Sequence, residues 1–414
     1  MAIQPRAWLQ HALPHVDVPN IRAGYLISAA ESAVFIGGNW IFFWTLFMSY
    51  SQLGLNDSLA FAFGLFMEIP TGALADVIGK RWTVRAALLL NGIAFLIMGS
   101  AEGMAALIGG FLLFQIGLAL YSGAAEALQY DSLKERGLEG DWDKVSAAGS
   151  SVSFVSLVVA MLLGAPMYAL NVRLPHWAWG VAFLVAFAVA LRLTEPQVGE
   201  QPHFSLRGYF GQLLTGARQL GRPNLRMFVP LMFGLPGVFF IYSWGVVQPA
   251  VAVSFGFDAN AQSVIASSAY ILITIFVRFV PRIRRRLGDL WGLTLLNFGL
   301  ILALMGMSLP LGTGGILVML LMHLSGVTSR VWTNVVVNER TPSEIRATTL
   351  STVALLTKLP YVLVAIAAGL MIDAGQLGLF VMGMAAVSSL LLISAHVLRA
   401  KTPRISLPVA ETLP

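Results

Sequence analysis

The chain has 414 residues and a formal net charge of +6, and 57% of its residues are hydrophobic while only 11% are charged. A soluble globular chain carries about 25% charged residues, so this composition excludes a soluble domain and predicts an integral membrane protein. The absence of cysteine excludes disulfides, thiol nucleophiles and cysteine-bound zinc. The six histidines are scattered and form no HExxH motif, so we expect no metal site.

Twelve apolar segments follow one another along the chain, each about as long as a bilayer requires. Continuous apolar runs favour helices, because the strands of a membrane barrel would alternate. Residues 1–20 contain three prolines and no apolar core, so we expect the first span to act as its own insertion signal. The predicted spans are 22–49, 58–77, 83–101, 104–129, 146–169, 175–193, 225–253, 261–280, 289–309, 312–334, 346–372 and 376–398.

The connections between these spans alternate in charge. One set carries most of the lysines and arginines, whereas the other set holds a single basic residue, Arg173. Because basic loops remain in the cytoplasm, this pattern predicts an even number of spans with both termini cytoplasmic. Topology then accounts for the basic composition, and we expect no nucleic-acid partner.

The longest polar interval, residues 194–224, divides the spans into two groups of six. This layout is typical of a duplicated membrane fold. A weak internal repeat supports the duplication: Gly79-Lys-Arg-Trp82 follows the second span, and Gly288-Asp-Leu-Trp291 follows the eighth. The sequence therefore predicts an all-α membrane fold of about twelve helices in two six-helix bundles. Its predicted parts are a cytoplasmic N-terminal segment (1–21), a first bundle (22–193), a cytoplasmic linker (194–224), a second bundle (225–398) and a cytoplasmic tail (399–414).

The turn after the second span concentrates acidic, basic and glycine residues: Glu68, Gly72, Asp76, Gly79, Lys80 and Arg81. Residues 72–81 resemble the loop signature of the major facilitator superfamily, G-x-L-A-D-x-x-G-[RK]-[RK]. The preceding residues 68–71 are similar to a sub-branch in which EIP[ST]G opens the signature, and which includes proton-coupled efflux members. The resemblance implies a secondary transporter in which this loop latches the cytoplasmic gate.

The residue types in this turn also indicate a role on physical grounds, independently of the resemblance. Glycines let the helix approach a neighbour closely and then turn tightly. Asp76 can accept hydrogen bonds from a helix N-terminus or pair with the cations beside it. Membrane orientation alone would explain Lys80 and Arg81, but it does not require Asp76, so we predict a cytoplasmic gate here.

Charged residues inside the predicted spans need an explanation, because each costs about 2.5–3.5 kcal/mol at the bilayer centre. Glu31 shares a polar and aromatic face of the first span with Asn39, and Glu126 lies on a polar face of the fourth. We predict that both faces line a cavity in which a carboxylate carries a proton. A structural hydrogen bond for Glu31 and an interfacial position for Glu126 are the alternatives.

Two cationic or titratable residues occur in the second group of spans. Lys358 lies about a dozen residues into the eleventh span, where it either reaches the surface or pairs with a carboxylate. Glu31 and Glu126 are both candidate partners. His323 lies in the tenth span and is either part of the cavity or a hydrogen-bonded interior histidine.

These features predict a secondary transporter that works by alternating access. The chain has no phosphate-binding P-loop, so we expect a proton gradient as the energy source. We expect no cofactor. Two buried acids and an aromatic lining favour export of a small amphipathic or cationic compound. One alternative is uptake of a small nutrient, which would be an anion if Lys358 binds it. Another alternative is flipping of a lipid-linked substrate.

A membrane enzyme is the least favoured class, because the exterior links are too short to hold a reactive group of residues. We expect a monomer in the cell (inner) membrane, with a small-molecule substrate and the lipid bilayer as its partners.

Overall fold

The computed structural model describes residues 12–198 and 206–401, and within these ranges it forms helices, turns and loops but no strand. The side chains of residues 68–77, 206–207 and 209 lie outside the description. The predicted gate residues Glu68, Gly72 and Asp76 fall in this part, so only their helical backbone is described.

The helices are numbered here in chain order, with α10 containing a π-helical turn at Phe233–Gly237. They are α1 (Pro19–Glu31), α2 (Trp40–Trp44), α3 (Tyr50–Ile78), α4 (Lys80–Gly99), α5 (Met104–Tyr121), α6 (Ala124–Lys134), α7 (Trp142–Leu170), α8 (Leu174–Ala190), α9 (Leu206–Leu220), α10 (Val229–Trp244), α11 (Val247–Ser254), α12 (Ala259–Val277), α13 (Val280–Met307), α14 (Gly315–Arg340), α15 (Ser343–Lys358), α16 (Tyr361–Asp373) and α17 (Leu377–Ala400).

Eight helical stretches of the described residues are long and apolar enough to cross a membrane. They are Lys80–Gly99, Met104–Lys134, Glu139–Leu170, Ala259–Val277, Val280–Met307, Gly312–Arg340, Ser343–Asp373 and Leu377–Ala400. The pair α10 and α11, bent by 70°, would form a ninth, and α8 is a shorter apolar helix. The helical membrane class is thus confirmed, whereas the count of twelve spans stays a prediction.

Two segments that the sequence predicts as continuous spans are interrupted. The first span breaks between α1 and α2, where residues 32–39 leave the regular helix. The fourth breaks at Ser122 and Gly123, and Gly123 has a φ of 79°, a left-handed value that favours glycine. Average hydropathy does not reveal the second interruption, because the whole stretch Met104–Lys134 still has the length and hydropathy of a membrane span.

The two groups of spans pack against each other at the end of the molecule opposite the basic loops. There α3 runs along α16 so closely that a Cβ at Gly54 would collide with the Ala365 carbonyl. The Asp373 carboxylate accepts hydrogen bonds from the Tyr50 and Ser51 amides at 3.1 and 2.8 Å, at the start of α3. A carboxylate at this position satisfies N–H groups that a helix N-terminus leaves free.

The predicted internal repeat has a counterpart in the backbone. Gly79 and Gly288 both have positive φ values, 90° and 71°: Gly79 lies immediately before α4, and Gly288 lies at a kink inside α13. The tryptophan three residues later lies under an arginine in both cases. In the first half the guanidinium carbon of Arg85 lies 4.5 Å from the centre of the Trp82 ring. In the second half that of Arg399 in α17 lies 5.8 Å from the centre of the Trp291 ring.

The two ends of the 194–224 interval are attached to different halves of the molecule. On the first side, Thr194 donates its amide to Asn20 in α1 at 3.0 Å. On the second side, Gln219 and Asn224 both donate to the Arg340 carbonyl at the end of α14, at 3.2 and 3.0 Å. The polar interval therefore contains a helix, α9, that belongs structurally to the second half.

We expect Gly54→Ala to destabilise the protein by about 1–3 kcal/mol, because the added methyl group forces α3 and α16 apart. Gly109→Ala is the matched control, since nothing lies within 4 Å of a Cβ at that position in α5. Thermal unfolding of the purified protein measures both. Equal melting temperatures for the two variants would contradict the tight contact.

Candidate functional site

Donors from α7 and α8 hold the break after α1. The Ser156 hydroxyl donates to the Ala29 carbonyl, and the indole of Trp179 donates to the Glu31 carbonyl at 3.0 Å. A backbone carbonyl without a partner costs several kcal/mol in a bilayer, so these donors explain how the helix can end there. The break is therefore built into the packing of the first half.

Asn39 lies on the far side of the break and is fully buried. Its amide donates to the Gly164 carbonyl in α7 at 3.2 Å and to the Phe35 carbonyl at 3.1 Å. Gly164 leaves no space for a side chain there, because a Cβ would meet the Phe35 carbonyl. The structure thus places Asn39 as an anchor between the break and α7, away from any exposed surface.

Glu31 is the last residue of α1, and its carboxylate is only partly exposed. The Ser32 hydroxyl donates to it at 3.2 Å, and no lysine, arginine or histidine among the described residues forms an ion pair with it. The end of a helix concentrates the partial negative charge of its last carbonyls. A proton or a cation at the Glu31 carboxylate is therefore stabilised.

Glu126 lies in the first turn of α6, directly after the break at Gly123, and it is exposed. The N–H groups of a first turn carry partial positive charge and suit a carboxylate. The structure thus places the two acids, which the sequence predicts in separate spans, at helix ends of opposite polarity.

Lys358 ends α15 in the second half of the molecule and is half-buried. Its ammonium group lies over the Phe240 ring, 5.5 Å from the ring centre. Neither Glu31 nor Glu126 comes within ion-pair distance, 4 Å, of this group. The two partners considered from the sequence are therefore not its partners in this conformation.

An aromatic cluster joins the halves beside Lys358. Phe61 of α3, Phe240 of α10 and Tyr361 of α16 contact one another with ring centres 5.3–5.8 Å apart. The Tyr361 hydroxyl donates to the Asp57 carboxylate at 2.7 Å, and Asp57 is buried. Sequence reasoning missed Asp57, because it lies at the edge of a short polar link that reads as a loop.

His323 lies inside the second half, buried within α14. Its Nδ1–H donates to the Met319 carbonyl at 2.8 Å, and the rings of Phe239, Tyr242 and Tyr270 surround it at 5.6–6.5 Å. This is the arrangement of a hydrogen-bonded interior histidine. The structure does not bring it into contact with Glu31, Glu126 or Lys358.

The basic residues after Gly79 are held by acids of the first half. Lys80 forms an ion pair with Asp131 of α6, while the Lys80 and Arg81 amides donate to the Glu195 carboxylate at 2.8 and 2.9 Å. Glu195 therefore caps the start of α4. Sequence reasoning missed this residue, because it lies in the linker and its partners are 114 and 115 residues away in the chain.

Arg85 continues this set of contacts one turn further along α4. Its guanidinium donates to the carbonyls of Ala190, Leu191 and Leu193 at 2.9–3.0 Å, at the end of α8. Basic groups suit the carbonyls that a helix end leaves free. The turn at Gly79 therefore fastens α4 to α6, α8 and the start of the linker.

These features define a multi-pass helical membrane protein with two halves and ionisable side chains at breaks in its membrane helices. The chain belongs to the Major Facilitator Superfamily, whose family model matches residues 23–365. This confirms the family predicted from the turn at residues 72–81. The efflux sub-branch suggested by the preceding residues stays a prediction. By sequence, no match is found among curated proteins.

Solved structures of transporters share this fold at low sequence identity. The nucleoside transporter NupG is 16% identical with a TM-score of 0.74, and the alignment covers 93% of this chain and 99% of NupG. An auto-inhibited POT family peptide transporter is 15% identical with a TM-score of 0.66, covering 95% and 98%. A bacterial homologue of the human lysosomal transporter Spinster is 16% identical with a TM-score of 0.65, covering 98% and 100%.

We expect Trp179→Phe to cost about 1–3 kcal/mol of stability, because it leaves the Glu31 carbonyl without a donor while keeping an aromatic ring in place. Trp177→Phe is the matched control, since that indole bonds Ser100 at the exposed surface of the same helix. We expect it to change stability by less than about 0.5 kcal/mol. Denaturant titration in mild detergent checks both values, and a smaller effect at position 179 would show that the break has other donors.

We expect Glu195→Ala to destabilise the first half by about 0.5–2 kcal/mol, because the Lys80 and Arg81 amides lose their cap. Glu139→Ala is the control, as an exposed acid that makes no cap bond to α4. Thermal unfolding measures both variants. If Glu139→Ala lowers the melting temperature as much as Glu195→Ala, the loss of stability comes from the change in net charge. The hydrogen bonds from Glu195 to the start of α4 would then not be its cause.

Proposed function

We propose that the protein is a proton-coupled secondary transporter that exports a small amphipathic or cationic compound by alternating access. The observation that carries this proposal is the Glu31 carboxylate. It lies at the end of a broken membrane helix, has one neutral hydrogen-bond donor and forms no ion pair among the described residues. The family and the structural neighbours support secondary transport in general, and they do not choose the substrate or the direction.

Coupling in this proposal is a competition at Glu31. The charged carboxylate attracts a cationic substrate, and a proton from the other side of the membrane neutralises the carboxylate and releases that substrate. Glu126, in the first turn of α6, is a second acid of the same half, at a helix N-terminus that suits a carboxylate. A single acid that takes up either a proton or the cation would make proton entry and cation release mutually dependent.

Alternating access needs contacts that close one end of the molecule at a time. In the present conformation the halves meet at the end opposite the basic loops, through Asp373 at the start of α3 and through Asp57 and Tyr361. By the positive-inside rule the basic end would face the cytoplasm, with both termini there. The exposed Glu126 would then be accessible from the cytoplasm. In this proposal the protein is a monomer in the inner membrane of the cell.

Uptake of a small anionic nutrient is the second candidate function. It is favoured by the position of Lys358 beside the Phe240 ring, and by the exposed Arg330 on α14. An ammonium group beside aromatic rings can hold a planar acid by its charge and its ring face. A lipid-linked substrate is a third alternative, and no described residue favours it specifically.

We expect Glu31→Gln to abolish proton-driven flux in proteoliposomes, because the amide neither takes up a proton nor attracts a cation. Substrates for this assay come first from a thermal-shift screen of the wild-type protein, since a ligand that binds the folded form raises its stability. Glu102→Gln, in an exposed loop, is the matched control and should transport normally.

The same variants separate the two candidate functions. For a cationic substrate, Glu31→Gln should lose the thermal shift and Lys358→Met should keep it, whereas an anionic substrate should show the reverse. Unchanged proton-driven flux in correctly folded Glu31→Gln would remove this residue from the mechanism.

A further inference from the structure

Asp57 is a buried acid in the contact between the two halves. It lies near the start of α3, and its carboxylate accepts a hydrogen bond from the Tyr361 hydroxyl of α16 at 2.7 Å. The hydroxyl of the neighbouring Ser58 donates to the Gly54 carbonyl at 2.9 Å instead. Among the described residues, Tyr361 is therefore the only side chain that donates to this carboxylate.

The break between α10 and α11 covers the Asp57–Tyr361 contact. Gly245 is buried at this break, and a Cβ there would collide with the Tyr361 hydroxyl and approach the Asp57 carboxylate to 3.1 Å. The rings of Phe61 and Phe240 lie against the Tyr361 ring, with ring centres 5.7 and 5.3 Å away. A glycine lets the backbone approach this closely, so that protein atoms replace water around the acid.

The other titratable groups of the first half and of α16 lie away from Asp57. Tyr50 and Asp373 meet at the start of α3, where the Asp373 carboxylate accepts from the Tyr50 amide at 3.1 Å. Glu68 and Asp76 follow further along the backbone of α3, by about 16 Å or more at the rise of a helix. The titratable residues of the helices packed on α3 lie toward the basic end: Lys80, Arg81 and Arg85 on α4, and Tyr121 on α5.

The elements of the second half supply no counter-ion to Asp57. Tyr242 is the titratable residue of α10 and packs against the His323 ring, 5.8 Å between ring centres, while α11 has none. The ammonium group of Lys358 lies over the Phe240 ring. In the described part of the chain, no lysine, arginine or histidine comes within 4 Å of the Asp57 carboxylate.

This environment favours the protonated form of Asp57. Removing a carboxylate charge from water is costly, and a single neutral donor offsets only part of that cost. When the halves separate at this end, water reaches the acid and stabilises its charge. A proton therefore binds more strongly to the closed arrangement than to the open one, and by linkage it stabilises the closed arrangement.

We propose that Asp57 binds a proton when the halves close at the end opposite the basic loops, and that this proton makes closure depend on pH. The contact forms with the carboxyl group neutral, and it opens when that group gives its proton to the water that enters between the halves. The inference goes beyond the proposed function, because it requires neither a particular substrate nor Glu31.

The absence of cysteine from the sequence makes a direct test possible, because introduced cysteines are labelled without a background. Glu102→Cys and Thr313→Cys place nitroxide labels on exposed links of the first and second halves at this end. Double electron–electron resonance in nanodiscs measures the distance between the labels as the pH is changed. We expect the ratio of short to long distances to rise on acidification, by up to about tenfold per pH unit for one proton.

Substitutions assign the response to Asp57. Asp57→Asn mimics the neutral acid and should keep the short distance at every pH. Asp373→Asn is the matched control, since this acid also joins the halves but is exposed, and the acid response should remain. Tyr361→Phe removes the donor that favours the charged form, so it should reduce the short distance more at alkaline pH than at acid pH.

Three results would overturn the proposal: a distance that does not change with pH, an opening on acidification, or an acid response that survives in Asp57→Asn. If Asp57→Asn does not fold, Tyr361→Phe decides, because an equal loss of the short distance at every pH would make the hydrogen bond purely structural. Glu31→Gln should keep the acid response. Loss of the response in Glu31→Gln would assign the proton to Glu31 and refute the role of Asp57, whereas unchanged flux in that variant bears on the proposed function alone.

Discussion

A helix that ends inside a packed bundle leaves its last backbone carbonyls without partners in the helix, and neighbouring helices supply donors at the end of α1. Ser156 and Trp179 supply those donors and thereby fix α7 and α8 around Glu31. The same region reaches the second half, since a Cβ at Gly38 would collide with the Ser263 backbone in α12. The acid, the break and the contact between the halves are therefore parts of one packed unit.

The helical class, the basic loops and the family follow from local patterns, and so the sequence predicts them. The positions of the breaks do not, because Ser156 is separated from its acceptor by 127 residues and no local pattern marks it as a donor. The Tyr361–Asp57 bond joins residues 304 positions apart. Glu31 and Glu126 are predicted individually, since a charge in an apolar run is visible. Their positions at helix ends appear only in the fold.

The two halves use the same backbone turn with opposite charges. After Gly79 the helix begins with cations, and the acids come from α6 and from the linker. After Gly288 it begins with Asp289, which accepts from Arg284 at 2.5 Å and from the Trp332 indole at 2.9 Å. Among the described residues, the ion pairs at each turn join groups of the same half. Charges satisfied in this way do not oppose separation of the halves at the basic end, which suits a conformational cycle based on rigid bundles.

The distribution of charge between the halves constrains the proposed cycle. Glu31 and Glu126 belong to the first half, whereas Lys358 and Arg330 belong to the second. Because Lys358 forms no ion pair with Glu31 or Glu126, proton uptake at either acid does not require breaking a salt bridge to Lys358. Breaking such a buried pair would cost about 3–5 kcal/mol and would slow the cycle. A bound cation and a proton would instead compete for the carboxylate at the end of α1, so that proton uptake there releases the cation.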